Sequence, residues 1–130
     1  MTSAAGWGSV ATVVLALAAQ PAWAEGDVGQ GERVFNRCKV CHTIEQGGAP
    51  KQGPNLFGVY GNPAGTNEPG SLHSGKLEES GIVWDEATLT EFLAAPSGFI
   101  AGVRMTFRLT REDDIANVIA YLKANSPSAE

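Results

Sequence analysis

The chain has 130 residues, 43% of them hydrophobic and 18% charged, which fits one folded domain and neither a disordered chain nor a multi-span membrane protein. Nine basic against fourteen acidic residues give a net charge of −5, and an acidic chain is poorly suited to nucleic acid, whose binders carry a basic face. Two Cys and two His in all are too few for a disulfide scaffold, and a four-ligand zinc site would need every one of them at a single metal.

Residues 1–24 contain no Asp, Glu, Lys or Arg, and Val10 to Ala19 is an unbroken apolar run. Ala22-Trp23-Ala24 follows with the small-x-small pattern of a cleavage site, so the segment reads as a secretory signal peptide. A membrane-spanning helix needs about 20 apolar residues; this run is shorter and Gln20-Pro21 interrupts it. The first residues depart from the pattern in having no Lys or Arg. The expected organisation is a signal peptide over 1–24 and one domain over 25–130, and export implies an oxidising compartment.

The first predicted helix runs from Val28 to Cys38, with Asp27 as its N-cap and Gly31, Val34, Phe35 and Cys38 on one face. The second runs from Glu86 to Ala95, capped by Asp85, striped by Leu89, Phe92 and Leu93, and ended by Pro96. The third opens on Thr110-Arg111-Glu112-Asp113, which resembles a capping box with Asp in place of Glu. Ile115, Val118, Ile119 and Leu122 then follow at i, i+3, i+4 and i+7. No alternating strand pattern and no internal repeat occur, so the fold class is all-α. Residues 43–84 lie between the first two helices and hold nine Gly and four Pro. So long a loop, with three short helices, makes a thin core. Something large and apolar must supply the missing interior.

Cys38-Lys39-Val40-Cys41-His42 identifies it. C-x-x-C-H is the attachment signature of a c-type haem. Two thiols at this spacing can each form a thioether to one vinyl group of a single haem, and the next His then faces the iron. A thioredoxin-like redox pair is the rival reading, but it wants a βαβ context and does not need the His. A zinc half-site would have only His73 to draw on for further ligands.

With that motif, Gly26 to about Asn125 resembles the class I cytochromes c, close to the bacterial cytochrome c2 and c550 types. Gly31-x-x-x-Phe35-x-x-Cys38 resembles the family's first helix, Gly53-Pro54-Asn55-Leu56-x-Gly58 its proximal segment, and Ser80 to Leu89 the run carrying its Trp. Ile119-Ala120-Tyr121-Leu122 is similar to the last helix, which crosses the first at Gly31. The resemblance implies three main helices and some short ones around one covalently bound haem. It implies that the Pro54 carbonyl orients His42, a contact that tunes the ligand's basicity, and that Trp84 bonds a haem propionate. Gly102-Val103-Arg104-Met105-Thr106-Phe107 resembles the family's ligand loop, which makes Met105 the sixth iron ligand opposite His42. A lone Met is otherwise core filler. His73 falls where the family commonly has a propionate-binding Tyr; a solvated side chain and a competing axial ligand are its other readings. Asn62, Phe92, Ala101 and Val103 depart from the family's frequent Arg, Tyr, Pro and Thr, each removing a hydrogen bond or some rigidity near the haem.

The function implied is that of a soluble periplasmic one-electron carrier, non-enzymatic and monomeric, without stable membrane insertion. Its partners would be redox proteins such as a cytochrome bc1-type donor, an oxidase, a reaction centre or a dehydrogenase. Two alternatives stand beside it: a dedicated haem subunit of one periplasmic dehydrogenase or oxidase, and a gas- or peroxide-reactive haem freed by loss of Met105. Arg37, Lys39, Lys51, Arg104, Arg108 and Arg111 lie near the attachment and ligand positions in sequence, so a locally positive rim is expected on the net-negative body.

Overall fold

The computed structural model describes residues 1–16, 25–67 and 75–127. Residues 1–16 form no helix and are exposed throughout, Trp7 to 94%. The expected cleavage site Ala22-Trp23-Ala24 and His73 lie outside the described residues.

The described residues contain five α-helices, one 3-10 turn and no strand longer than a single bridge. Helix α1 spans Val28–Phe35. Asp27 starts it by accepting a hydrogen bond from the Gln30 amide at 2.7 Å, which satisfies one of the donors a helix start leaves open. The helix ends three residues earlier than expected. Arg37 N–H turns back to the Val34 carbonyl at 3.0 Å, and a 3-10 turn over Cys38–Val40 follows. This tighter winding lets the amides of Cys41 and His42 share the Cys38 carbonyl at 3.0 and 2.9 Å.

Helix α2, Gly75–Ser80, has no counterpart in the predicted elements. Helix α3, Glu86–Ala94, opens on a reciprocal capping box between Asp85 and Thr88. It stops one residue before the predicted end, because a residue preceding proline avoids the helical region. Pro96 then begins a further short helix, α4, Pro96–Phe99, instead of only closing the one before. Helix α5 is Glu112–Ala124, and its N-cap is Arg111 without a side-chain cap. The capping box expected at Thr110 does not form. With the start moved by one residue, Asp114 takes the third helical position, where it pairs with Arg37 at 2.8 Å. Three acids in the first turn suit the positive end of the helix dipole.

Helices α1 and α5 cross at van der Waals contact. A β-carbon on Gly31 would lie 2.0 Å from the Asn117 carbonyl oxygen and 2.8 Å from the Tyr121 Cβ, so only glycine permits this approach. The Phe35 and Tyr121 rings meet beside it with centroids 5.2 Å apart. Phe35, Val118 and Ile119 are the most deeply buried side chains.

The long loop is stitched to the chain that follows α2. The Gly61 amide bonds the Trp84 carbonyl, the Trp84 amide bonds the Asn62 carbonyl, and the Ala64 amide bonds the Ile82 carbonyl, at 2.7 to 3.0 Å. An isolated bridge, Pro63 to Val83, marks the pairing. The loop's other side is tied to α5 through Gly58 to the Asn125 carbonyl and Tyr60 to Ser126 Oγ, both at 3.0 Å.

Candidate functional site

The helices do not close on a filled core. They surround a cleft of about 680 Å³, within the range of roughly 300 to 1,000 Å³ that ligand pockets occupy. Cys38, Cys41, His42, Pro54, Trp84 and Met105 all line it. The structure therefore brings together every expected site residue except His73, which lies outside the described residues. Most of the remaining wall is apolar, with Phe35 from α1, Leu56 and Val59 from the loop, Leu77 from α2, Leu89, Phe92 and Leu93 from α3, and Val118 and Leu122 from α5; Arg37, Gln52, Asn67, Arg104 and Thr106 are its polar members.

One end of the cleft is built by the 3-10 turn and the strand-like Gly53-Pro54. The Gly53 amide donates to the Cys41 carbonyl at 2.8 Å, and the Leu56 amide donates to the Thr43 carbonyl at 2.8 Å. This double tie lays Gly53-Pro54 against the imidazole. His42 Nδ1 lies 2.7 Å from the Pro54 carbonyl oxygen. A carbonyl only accepts, so Nδ1 carries the proton and Nε2 is the nitrogen suited to a metal. Gly53, named in the sequence only as part of the proximal segment, has a role of its own here. A β-carbon there would lie 2.4 Å from His42 Cε1, so glycine is what lets the backbone press on the ring. The signal was available in the Gly immediately before Pro54.

Both cysteines are free thiols. Burial pushes the Cys38 thiol up to about 11, with Arg37 opposing and Cys41 adding to the rise. It is a neutral thiol at pH 7, and conversion to a thioether removes the ionisable group from this half-buried place. The Cys41 thiol lies 3.5 Å from Gln52 Oε1.

Trp84 is 4% exposed and stacks at a tilt on Phe92, with ring centroids 4.9 Å apart. Its indole N–H has no protein acceptor among the described residues. A buried donor left unpaired is costly, so the site is shaped for a group that brings an acceptor. A large apolar ring system with a carboxylate at its edge satisfies the wall and the donor together, and two thiols with a following His supply its anchors. The residues present thus fit a haem.

At the mouth stand Met105, half-buried, then Phe107 and Val40, which are 41% and 77% exposed. Gly102 opens the Met105 segment with a φ of 88°, a conformation that favours glycine. Of the six basic residues expected on the rim, Arg37 and Arg104 line the cleft. Arg104, Arg108 and Arg111 are exposed. Arg37 is held by Asp114, and Lys51 Nζ donates to the Lys39 carbonyl at 2.6 Å. Of the departures from the resemblance, Asn62 donates to the Gly58 carbonyl and so braces the loop.

Residues 28–126 match the cytochrome c family profile. Cytochrome c2 of Rhodospirillum rubrum is 42% identical over 119 residues, covering 84% of this chain and 88% of the relative. Cytochrome c of Theileria annulata is 44% identical over 104 residues, covering 78% and 89%. Among solved structures, cytochrome cH from Methylobacterium extorquens superposes with a TM-score of 0.69 at 38% identity, covering 76% of this chain and 99% of that one.

Proposed function

The chain belongs to the cytochrome c family, as a class I member of the cytochrome c2 kind, and from that premise we propose that it is a soluble periplasmic one-electron carrier whose haem iron is held by His42 and Met105. Covalently attached haem c supplies a reversible one-electron iron couple. The rest is the work of this chain's residues. Cys38 and Cys41 anchor the ring through two thioethers. His42 is presented in one tautomer by the Pro54 carbonyl. Met105 enters from the segment between α4 and α5, and Trp84 offers its N–H to a propionate. His73 is assigned to the propionate side as well. The apolar wall keeps water from the iron, and His/Met ligation raises the reduction potential. Two protein ligands leave no position for a substrate, which is why the reading is of a carrier and not an enzyme.

The observation that carries this reading is the placing of His42 and Met105 on one cleft, with the imidazole locked through Nδ1. No helix among the described residues is long and apolar enough to cross a membrane. Residues 1–24 are read as the export signal and residues 25–130 as the monohaem domain. Partner contacts must be brief, so a small, charge-steered interface is expected.

The test replaces each candidate sixth ligand. Met105→Ala should keep the haem attached but lose the sulfur-to-iron absorption band of the oxidised protein and gain affinity for added imidazole or cyanide. His73→Ala should leave the iron low-spin with that band intact. High-spin iron from the His73 change alone would overturn the ligand assignment.

A further inference from the structure

A second cleft, of about 270 Å³, lies where the first residues of the domain meet α3 and α5. Glu25, Gly26, Val28, Glu86, Ala120 and Lys123 line it. The chain is fixed on its approach to this cleft. A β-carbon on Gly26 would lie 2.0 Å from the Ala116 carbonyl oxygen and 2.7 Å from the Asn117 Cα, so the Gly26 backbone sits directly on α5. The Asp27 amide donates to Asn117 Oδ1 at 2.8 Å, and the Asp27 carboxylate caps α1. Glu25 is the next residue outward, and a locked backbone holds it at the cleft.

The charges there do not balance. Glu25 and Glu86 both line the cleft, against the single ammonium of Lys123. That ammonium also lies 5.4 Å above the Tyr60 ring centroid. Burial pushes the half-buried Glu86 carboxyl up; Lys123 opposes this, Asp85 and Glu25 add to it, and a hydrogen bond with Tyr60 opposes it. One further cation would complete the group. In the unprocessed chain the nitrogen of Glu25 is a neutral amide.

We propose that cleavage after Ala24 supplies that cation: the new α-ammonium of Glu25 pairs with the Glu86 carboxylate and ties the mature N-terminus to α3 and α5. The proposal rests on the reading of residues 1–24 as a removed export signal. A signal peptidase hydrolyses the Ala24–Glu25 amide with one water, leaving a carboxylate on Ala24 and an amine on Glu25. That amine takes up a proton at neutral pH, since α-amino groups titrate near roughly 8. Maturation thus adds an interaction that the precursor lacks.

The test uses the haem-loaded protein exported from the full chain. Its mass and N-terminal sequence should place the start at Glu25. A different start overturns the proposal together with the reading of residues 1–24. With the start at Glu25, the free-amine protein is compared with an Nα-acetylated form and with one retaining Ala24, in which the amine is moved about 3.8 Å along the chain. Each change should lower Tm by about 2–4 °C at pH 6.5, the size expected of one partly exposed ion pair. In the Glu86→Gln background the acetylation effect should vanish, whereas in Glu25→Ser, which removes the side-chain carboxylate and keeps the α-amine, it should persist. The α-amine should titrate about half a unit or more above its ordinary value, and return to it in Glu86→Gln. A group with a raised folded pKa stabilises below its unfolded pKa and loses that stabilisation as pH rises through the folded one. The Tm gap should therefore close above about pH 9. Equal acetylation effects with and without Glu86, or an unshifted amine, would overturn the ion pair while leaving the export reading intact.

Discussion

His42 Nδ1 and the Pro54 carbonyl oxygen lie 2.7 Å apart, and Gly53 presses on the same ring from the backbone side. The imidazole is therefore fixed in tautomer by one residue and in position by its neighbour. Both depend on the two hydrogen bonds that the Gly53 and Leu56 amides donate to the Cys41 and Thr43 carbonyls.

Gly53→Ala should disturb this arrangement directly. The added β-carbon would fall 2.4 Å from His42 Cε1, and either the ring or the backbone must move. The expected cost is about 1–3 kcal/mol of unfolding free energy, as for an overpacked interior, together with a changed reduction potential. Denaturant titration and voltammetry check both. An unchanged potential with unchanged stability would mean that the ring has room the structure does not show.

Trp84→Phe keeps an aromatic ring against Phe92 and deletes only the indole N–H. If that donor meets a propionate, the haem-loaded protein should lose about 1.5–3 kcal/mol, the range for a hydrogen bond to a charged group. Urea unfolding of the oxidised protein measures it. No loss would leave the Trp84 N–H without its assigned acceptor.

Two glycines of one helix should respond very unequally. Gly31→Ala places a β-carbon 2.0 Å from the Asn117 carbonyl oxygen, a backbone atom that cannot swing aside. A loss of about 3 kcal/mol or more is expected, the upper end of overpacking. Gly29→Ala meets only Asp27 Oδ1, at 3.3 Å, the oxygen that caps the helix; that crowding offsets the gain in helix propensity, and the change should stay within about 1 kcal/mol of wild type. Thermal unfolding of the pair separates the crossing from the helix.

Arg104→Glu probes the rim. Arg104 lines the haem cleft and is exposed, so it should steer an acidic partner toward the haem edge. Screening acts over a Debye length of about 8 Å at physiological ionic strength. The wild-type electron-transfer rate with an acidic partner should therefore fall with salt, and the charge reversal should lower it and flatten the dependence. A rate indifferent to both would point to the exposed apolar edge of Val40 and Phe107 as the docking contact.

The haem site was legible in the sequence because its chemistry is local. Cys38, Cys41 and His42 fall within one turn and a half, and Pro54 and Trp84 lie in short runs whose resemblance is dense. Gly31 could be read for the same reason, since a glycine on an otherwise apolar helix face marks a close crossing. Helix α2 escaped because it buries no residue; without an apolar stripe there is no period to detect. Its marks are subtler: the Lys76–Glu79 pair at 3.0 Å and Gly81 at a φ of 66° just past its end. The start of α5 falls one residue later than Thr110 suggests, at Arg111, which caps nothing with its side chain and so leaves no local sign. Asp114, at the third helical position, pairs with Arg37, a partner 77 residues away that no local pattern reveals.

The crossing of α1 on α5 also orders events in time. A chain that emerges N-terminus first presents Cys38 and Cys41 while α5 is still to come. Until α5 arrives, Gly31 and Phe35 have nothing to lie against, and the cleft lacks the wall formed by Val118 and Leu122. The two thiols are thus exposed on an open chain for an interval that ends only when the last helix docks. An attachment machinery acting in that interval would work on a flexible peptide, and the fold would then close over a haem already in place.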